Sequence, residues 1–519
     1  MTITTAKKGL AARLPRLAPL AAALVVALPA QAQWRVTPSL SMTETLTDNV
    51  NRGSTRREGA LVSELTPGVS VNGQNEYVQL NADASASLFG YTGSGRSSGN
   101  RRNRAQYGAN GRLKVVDEFM YVDASARSST RNISAFGLLD DESRFNNENS
   151  TDVRTWSVSP FITQRLGNFA VATLRYTLNG VDADYSRYGS STARGGFVTL
   201  GSGRSWQDLG WNLQYSRQDV DNKQFPDTAS ENALLSLNYR LSRTFRLTAS
   251  GGYDSYDYET MPGNRTAGAS WSAGFVWNPS SRTSVELAGG RHFLGNTGSL
   301  QATHRSRHTV TRLSYSDQVT STRQQFSGVQ GVDTAALLDS LFAATIPDPV
   351  ARRQAVLDYL LATGLPLTTA ESVNYLTNRY FRQKQALASF AYNMRAHSTV
   401  LSAYATERVA LSTGQADSDL LGSGLFALND SVRQFGTTLA HSYRLNAMTN
   451  ATASLTATHN RSLTTDIERD QQTLSLGMTR RFSRKLFGNV ELRHARGERG
   501  TGSAGYHANS IRATVTAQL

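Results

Sequence analysis

The stretch Ala233–Tyr253 reads ALLSLNYRLSRTFRLTASGGY. Leu235, Leu237, Tyr239 and Leu241 alternate with Ser236, Asn238 and Arg240. A turn at Ser242, Arg243 and Thr244 follows, and then Phe245, Leu247, Ala249, Gly251 and Tyr253 alternate with Arg246, Thr248 and Ser250. Side chains along a strand point to opposite faces with period two, so each segment has one oily and one wet face. The unit recurs roughly twenty times along the chain, which is the pattern of a membrane barrel. The fold predicted is all-β, a transmembrane antiparallel β-barrel of about 22 strands with a short helical insertion.

Residues 1–32 read as a signal peptide outside that fold. Lys7, Lys8, Arg13 and Arg16 form a basic start, Leu17–Leu28 an apolar run, and Ala30, Gln31 and Ala32 an A-x-A cleavage site. The run is too short for a spanning helix of ~20 residues. The barrel domain is then 33–519, exported from the cytoplasm. No cysteine follows the run to carry a lipid anchor, and none elsewhere makes a disulfide framework.

Mean hydropathy is −0.39, a value that would ordinarily point to a soluble protein. Barrels escape hydropathy scans because only alternate residues face lipid. Hydrophobic residues make up 39% of the chain, low for one packed core of this length and suited to a sheet wetted on one side. The soluble alternative is a secreted β-solenoid or multidomain β-protein. Net charge is +14, of which the signal peptide carries four, and only six of the 54 basic residues are lysine. The arginines are spread singly along strands rather than clustered, so nucleic acid is not the expected partner. Anions outside the cell fit better, such as lipopolysaccharide phosphates or an anionic polysaccharide.

The connections follow a parity. Links after even-numbered strands are short, as at Gly73–Asn75, Ser242–Thr244 and Asn446–Met448, whereas most others are long and polar, such as 92–104, 131–151, 181–193 and 412–430. The tight Gly295–Thr297 link is the exception. Bacterial barrels have short periplasmic turns and longer external loops, so both termini are expected in the periplasm. Facing follows from the alternation. Leu174, Tyr176, Val490, Leu492, Ile511 and Val515 should meet lipid, leaving Arg175, Arg240, Arg246, Arg312, Arg493 and Arg512 to line the lumen. A charge on the lipid face at mid-depth costs ~2–4 kcal/mol. Trp156, Trp211, Trp271, Trp277, Tyr239, Tyr443, Phe482 and Phe487 suit the aromatic girdles. Arg291 and Arg480 share a face with apolar neighbours and are placed at the membrane edge, where the penalty falls to ~0–1 kcal/mol.

Residues 332–376 break the strand pattern. Asp333 can cap a helix through Ala344, and Asp348 with Pro349 opens a second that Gly364 and Pro366 end. Thr368 and Glu371 resemble a capping box for a third helix near 369–376. By strand parity the insertion emerges at the external side, as a plug or lid for the lumen or as a surface excursion.

No catalytic constellation stands out, so no enzyme activity, cofactor or metal is expected. His304 and His308 are four apart, but across a strand–turn–strand that spacing does not converge on a metal. Gly93 with Gly95 and Gly201 with Gly203 precede no helix and make no phosphate cradle. Asp140, Asp141 and Glu142 form an acidic loop cluster, read as solvated.

Particular segments resemble a known family. They include VTPSLSMTETLTDNV over Val36–Val50, NPSSRTS over Asn278–Ser284 leading to GRHFLGN over Gly290–Asn296, and HRSRH over His304–His308 through LSYS over Leu313–Ser316. LDSLF over Leu338–Phe342, IPDP over Ile346–Pro349, TGLP over Thr363–Pro366 and LTN over Leu376–Asn378 complete them. Together these resemble the PEP-CTERM system-associated outer membrane protein family across essentially the whole mature chain. The resemblance implies a Gram-negative outer-membrane barrel associated with exopolysaccharide production and exosortase-type sorting, and it supplies no catalytic residues. Its partners would be outer-membrane lipid and the barrel assembly machinery. The chain ends in Leu519 where barrels commonly end in an aromatic residue. Two functions are carried forward. One is a passive channel or scaffold for exopolysaccharide export with an arginine-lined lumen. The other is a surface-interaction anchor whose loops bind polysaccharide or sorted surface proteins.

Overall fold

In a computed structural model the described residues are 33–519 apart from 54–56, 94–100, 138–144, 146–148, 184–189, 224–225, 259–265, 322, 325–331, 344–351, 353–355, 357–358, 361–367, 370–378, 413–427 and 500–502. The signal-peptide reading and the acidic cluster at Asp140, Asp141 and Glu142 lie outside them.

The chain forms β1 (Gln33–Thr47), β2 (Ala60–Gln74), β3 (Val78–Gly93), β4 (Asn103–Val116), β5 (Met120–Asn132), β6 (Ser150–Leu166), β7 (Ala170–Ala183), β8 (Ser190–Ser202), β9 (Leu209–Asn222), β10 (Thr228–Arg240) and β11 (Phe245–Asp257). It continues with β12 (Ala267–Ser280), β13 (Thr283–His292), β14 (Gly295–Arg305), β15 (Thr309–Ser321), β16 (Tyr380–Met394), β17 (His397–Ala410), β18 (Val432–Asn446), β19 (Thr449–Ser462), β20 (Glu468–Arg481), β21 (Leu486–Arg499) and β22 (Ser503–Gln518). These make one 22-stranded antiparallel sheet in which each strand pairs with its sequence neighbours. β1 also pairs with β22, from Ser39 opposite Gln518 to Thr47 opposite Ser510, and closes the ring. Hydrocarbon offers backbone N–H and C=O groups no partner, and a closed sheet leaves no edge in need of one. The expected count of about 22 strands is that observed.

The alternation sets the two faces. Leu235, Leu237, Tyr239, Leu247 and Tyr253 are exposed on the outside, as are Leu174, Tyr176, Leu476, Val490, Leu492, Ile511 and Val515. This apolar outer belt, on a sheet with no edge, makes the barrel a membrane-spanning one, with charged outer residues such as Glu44, Asp317, Lys384 and Glu407 placed toward the long-link end. Arg480 and Arg291 lie on the outer face one residue from the ends of β20 and β13. Short turns, including Gln74–Val78 and Arg240–Phe245, gather at one end with both termini; longer links gather at the other.

One sector of the long-link end is low. β13 and β14 meet through Phe293 and Leu294, with Gly295 at φ +117°, a conformation that favours glycine. The β14–β15 ladder covers only Leu300 opposite Tyr315 through Arg305 opposite Val310. Above it, Arg382 of β16 stitches the wall. Its Nη1 donates to Leu294 O at 3.1 Å, its Nη2 to Asn296 O at 2.6 Å, and its Nε to Asp317 Oδ1 at 2.9 Å.

The face assignment predicts opposite outcomes for adjacent residues. Leu237→Arg, on the lipid side, should lower the unfolding free energy by ~2–4 kcal/mol, and Ser236→Arg, on the inner side, by under ~1 kcal/mol. Urea titration of the barrel refolded in lipid vesicles measures both. Equal losses would contradict the assignment.

Candidate functional site in the barrel lumen

The helical insertion lies inside the ring. Helix α1 (Thr334–Phe342) buries Leu337, Leu338 and Leu341 against Val310 of β15, Ala391 of β16, Val400 of β17 and Ala440 of β18. All four wall residues have the parity opposite to the exposed apolar belt, and all sit near the short-turn ends of their strands. The chain thus leaves the wall at the long-link end and descends the lumen to its other end. The spacing of Leu337, Leu338 and Leu341 is one helical stripe, which is why this face seeks an apolar wall.

Residues 352, 356, 359 and 360 are also helical. Val356 and Leu360 join the same cluster. Arg352 Nε donates to Asp339 Oδ1 at 2.8 Å, and the Phe342 and Tyr359 rings meet edge to face at 5.4 Å. Burial raises the pKa of the Tyr359 hydroxyl, which stays protonated and donates to Asn393 Oδ1 at 3.3 Å. Wall arginines hold α1 from below. Arg312 Nη2 donates to Ala336 O at 3.1 Å and also to Ser340 Oγ, and Arg305 Nη1 donates to Ser340 O at 3.3 Å. Ser340 lies in the last turn, where carbonyls lack intrahelical partners and the helix dipole favours a cation. Thr368–Thr369 pairs with Val332–Asp333 in a two-stranded ribbon, so Thr369 is extended; the rest of the expected third helix, 370–376, lies outside the described residues.

The long-link end is pinched by contacts between distant parts of the ring. Just beyond β5, Ala135 and Phe136 pack on Leu428 and Val432. Asn429 Oδ1 accepts from Ala135 N at 3.1 Å, and Asn460 Nδ2 of β19 donates to Ala135 O at 2.9 Å. Arg323, following β15, reaches β7 and β8, with Nη2 donating to Asn179 O and Nη1 to Ser191 O, both at 3.1 Å. Tyr258 beyond β11 stacks on Tyr380 of β16 at 4.7 Å. The lumen is therefore crossed by the chain's own residues near the long-link end, and near the other it holds α1 against four adjacent strands.

All six arginines singled out from sequence lie on the inner face, and several are already engaged. Arg175 Nη1 pairs with Asp123 Oδ2 at 3.0 Å and lies 4.1 Å over the Phe161 ring, while Arg112 Nε takes the other oxygen of Asp123 at 2.7 Å. Arg512 Nη1 stands 3.9 Å from Glu491 Oε2, and Arg493 is 8% exposed. Arg312 carries the helix. Arg240 and Arg246 face one another across β10 and β11 at the short-turn end, both exposed. Sequence reasoning passed over Arg408 and Arg469, which share the inner parity and are among the most buried side chains described. Arg408 Nε donates to Gln383 Oε1 at 2.9 Å. Their place in the alternation was the available signal.

Of the aromatic residues, Trp211, Trp277, Tyr239, Tyr443 and Phe482 lie on the outer side near the short turns, and Trp156 and Trp271 lie farther along. Phe487 does not belong with them. It shares a face with Asn489 and Glu491 and stands opposite Arg481 and Thr516, on the inner side. Its nearness to a strand end suggested the girdle, and its parity overrides that. Trp206, passed over earlier, packs with Phe169 and Trp211 at 5.6 and 5.9 Å. Among the described residues no group of three metal-binding side chains converges.

No family model matches the chain, and no curated protein matches it. Solved structures similar to it include the ferric enterobactin receptor PfeA of Pseudomonas aeruginosa, at 10% identity over 93% of this chain and 80% of that one, with a TM-score of 0.44. The FrpB iron transporter of Neisseria meningitidis is similar at 12% identity over 93% and 82%, with a TM-score of 0.40. The siderophore receptor PirA of Pseudomonas aeruginosa is similar at 9% identity over 93% and 80%, with a TM-score of 0.39. Likeness this remote says nothing of what this chain carries, and its closure rests on its own strand pairing.

Leu338→Asp places a charge against Val310 and Val400 and should free α1 from the wall. The expected result is new protease cleavage within 332–376 while the barrel keeps its heat-modifiable migration on a gel. An unchanged digestion pattern would contradict the docking.

Proposed function

We propose that this protein is a Gram-negative outer-membrane barrel associated with exopolysaccharide export, acting as a passive channel or scaffold that rests shut. Both termini and the short turns would face the periplasm. The observation that carries this reading is α1 docked on the inner wall at the short-turn end. A segment that leaves the wall at one end and plugs the other closes the path without sealing it covalently. Three leucines and two arginines hold it, a set that can be released and restored. The resemblance to the PEP-CTERM-associated family supplies the polymer class.

The inner wall suits a sugar polymer carrying acidic groups. Arginine guanidinium groups hold carboxylates or phosphates with paired hydrogen bonds. Serine, threonine and asparagine between them exchange hydrogen bonds with hydroxyls. Many weak sites let a polymer enter and still move on. Arg240 and Arg246 are the best placed to meet an anion, being exposed at the periplasmic mouth.

The anchor reading is favoured by one observation: the segment after β5 interlocks with Asn429 and Asn460. Such a rigid external platform would bind polymer or sorted surface proteins with the lumen shut throughout.

Conductance separates the two. Removing residues 332–376 should convert a low-conductance barrel in planar bilayers into an anion-selective one. Arg240→Glu with Arg246→Glu should shift that selectivity toward cations, and in cells should reduce polymer secretion. A barrel that stays closed without the insertion would favour the anchor.

A further inference from the structure

A walled cavity of about 560 Å³ opens on the inner face near the long-link end, within the size range of ~300–1,000 Å³ usual for ligand sites. Gln214, Ser216, Ser230 and Asn232 form one side, and Gln318 and Thr320 face them from the end of β15. The register explains the first group: Ser216 stands opposite Asn232, and Ser230 opposite Tyr256. Three neighbouring strands thus present hydroxyl and amide groups as one patch, with the Tyr256 ring at its edge. The facing side exists because β13 and β14 end low and the chain after β15 crosses toward β7 and β8, bringing Gln324 into the lining.

The chemistry of this lining is unlike the rest of the wall. In a chain with 54 basic residues its described lining residues include no arginine or lysine; among them Glu231 is the acid, bonded to Tyr215, and the Asp254 carboxylate adjoins through Asn232. An anion gains nothing here. Amides and hydroxyls each offer donors and acceptors at short range, which matches a ligand whose own groups are both at once. An apolar ligand would strand these polar groups.

We propose that the cavity is a binding site for a neutral saccharide segment of the polymer. This rests on the polysaccharide reading above and deepens it. It assigns neutral units to recognition near the external mouth and acidic groups to the arginines elsewhere in the lumen. Asn232 is held in place by its amide, which donates to Asp254 Oδ1, leaving its carbonyl oxygen for a sugar hydroxyl.

The test uses the full mature chain in detergent micelles with maltotriose, cellotriose and mannotriose as neutral probes and trigalacturonic acid as the acidic one. Saturation-transfer NMR should show contact with at least one neutral trisaccharide and weaker contact with the acid. Asn232→Ala with Gln318→Ala should raise its Kd about tenfold or more, and Ser216→Trp, which fills the cavity without removing a partner of the wall, should abolish it. Heat-modifiable migration reports that each variant is folded. Contact with none of the neutral probes, or contact that both variants leave unchanged, would overturn the site. If the site fails while Arg240→Glu with Arg246→Glu still lowers secretion, export stands without it. If the site binds while no lumen variant alters secretion, export falls and the cavity remains a recognition site.

Discussion

A bilayer core gives backbone amides nothing to bond with, and the rest of this structure depends on how the chain meets that constraint. Twenty-two strands pair with their neighbours and the last pairs with the first. Closure obliges one face to be oily and lets the other be wet, so the alternation in Ala233–Tyr253 is the price of crossing the membrane. It also moves nearly all freedom to vary chemistry onto inner side chains and links.

A ring this wide cannot fill its own interior with side chains. Here the interior is occupied in two ways. The insertion sends α1 down to the short-turn end, where it replaces solvent over Val310, Ala391, Val400 and Ala440. At the other end the ring is pinched, so that residues far apart in sequence, such as Ser134 and Asn429, come into hydrogen-bonding contact. What remains between is a polar space with arginines engaged by acids and helix carbonyls, and a cavity whose described lining holds no arginine. The division of charge within the lumen is a property of the fold, because register places Ser216, Asn232, Ser230 and Tyr256 side by side.

The barrel was legible because strand alternation and turn parity are local signals. Each strand needs only its own residues to declare its oily face, and both ladders confirm the count. The helix in the insertion was legible for the same reason, from Asp333 ahead of Leu337, Leu338 and Leu341. Where the helix rests was not legible. Parity shows at which end the insertion leaves the wall and is silent on whether it turns inward. The pinch at Ala135 and Asn460 depends on contacts spanning more than three hundred residues, for which no short-range pattern exists. Phe487 was misplaced because position near a turn was weighed above its parity with Asn489 and Glu491. Arginine facing was readable from alternation, but the engagement of Arg175 by Asp123 needs the two-strand offset that only the register supplies.

The position of α1 is the claim on which the resting state turns. The chain has no cysteine, so paired spin labels can be placed without background. Labels at Ser340→Cys and Ala396→Cys, and at Ser340→Cys and Ser412→Cys, would be compared by pulsed dipolar spectroscopy in lipid. The account predicts a markedly shorter distance to Ala396, in the β16–β17 turn, than to Ser412 beyond the other end of β17. A shorter distance to Ser412, or a broad distribution to both, would show that the helix does not dock at the short-turn mouth.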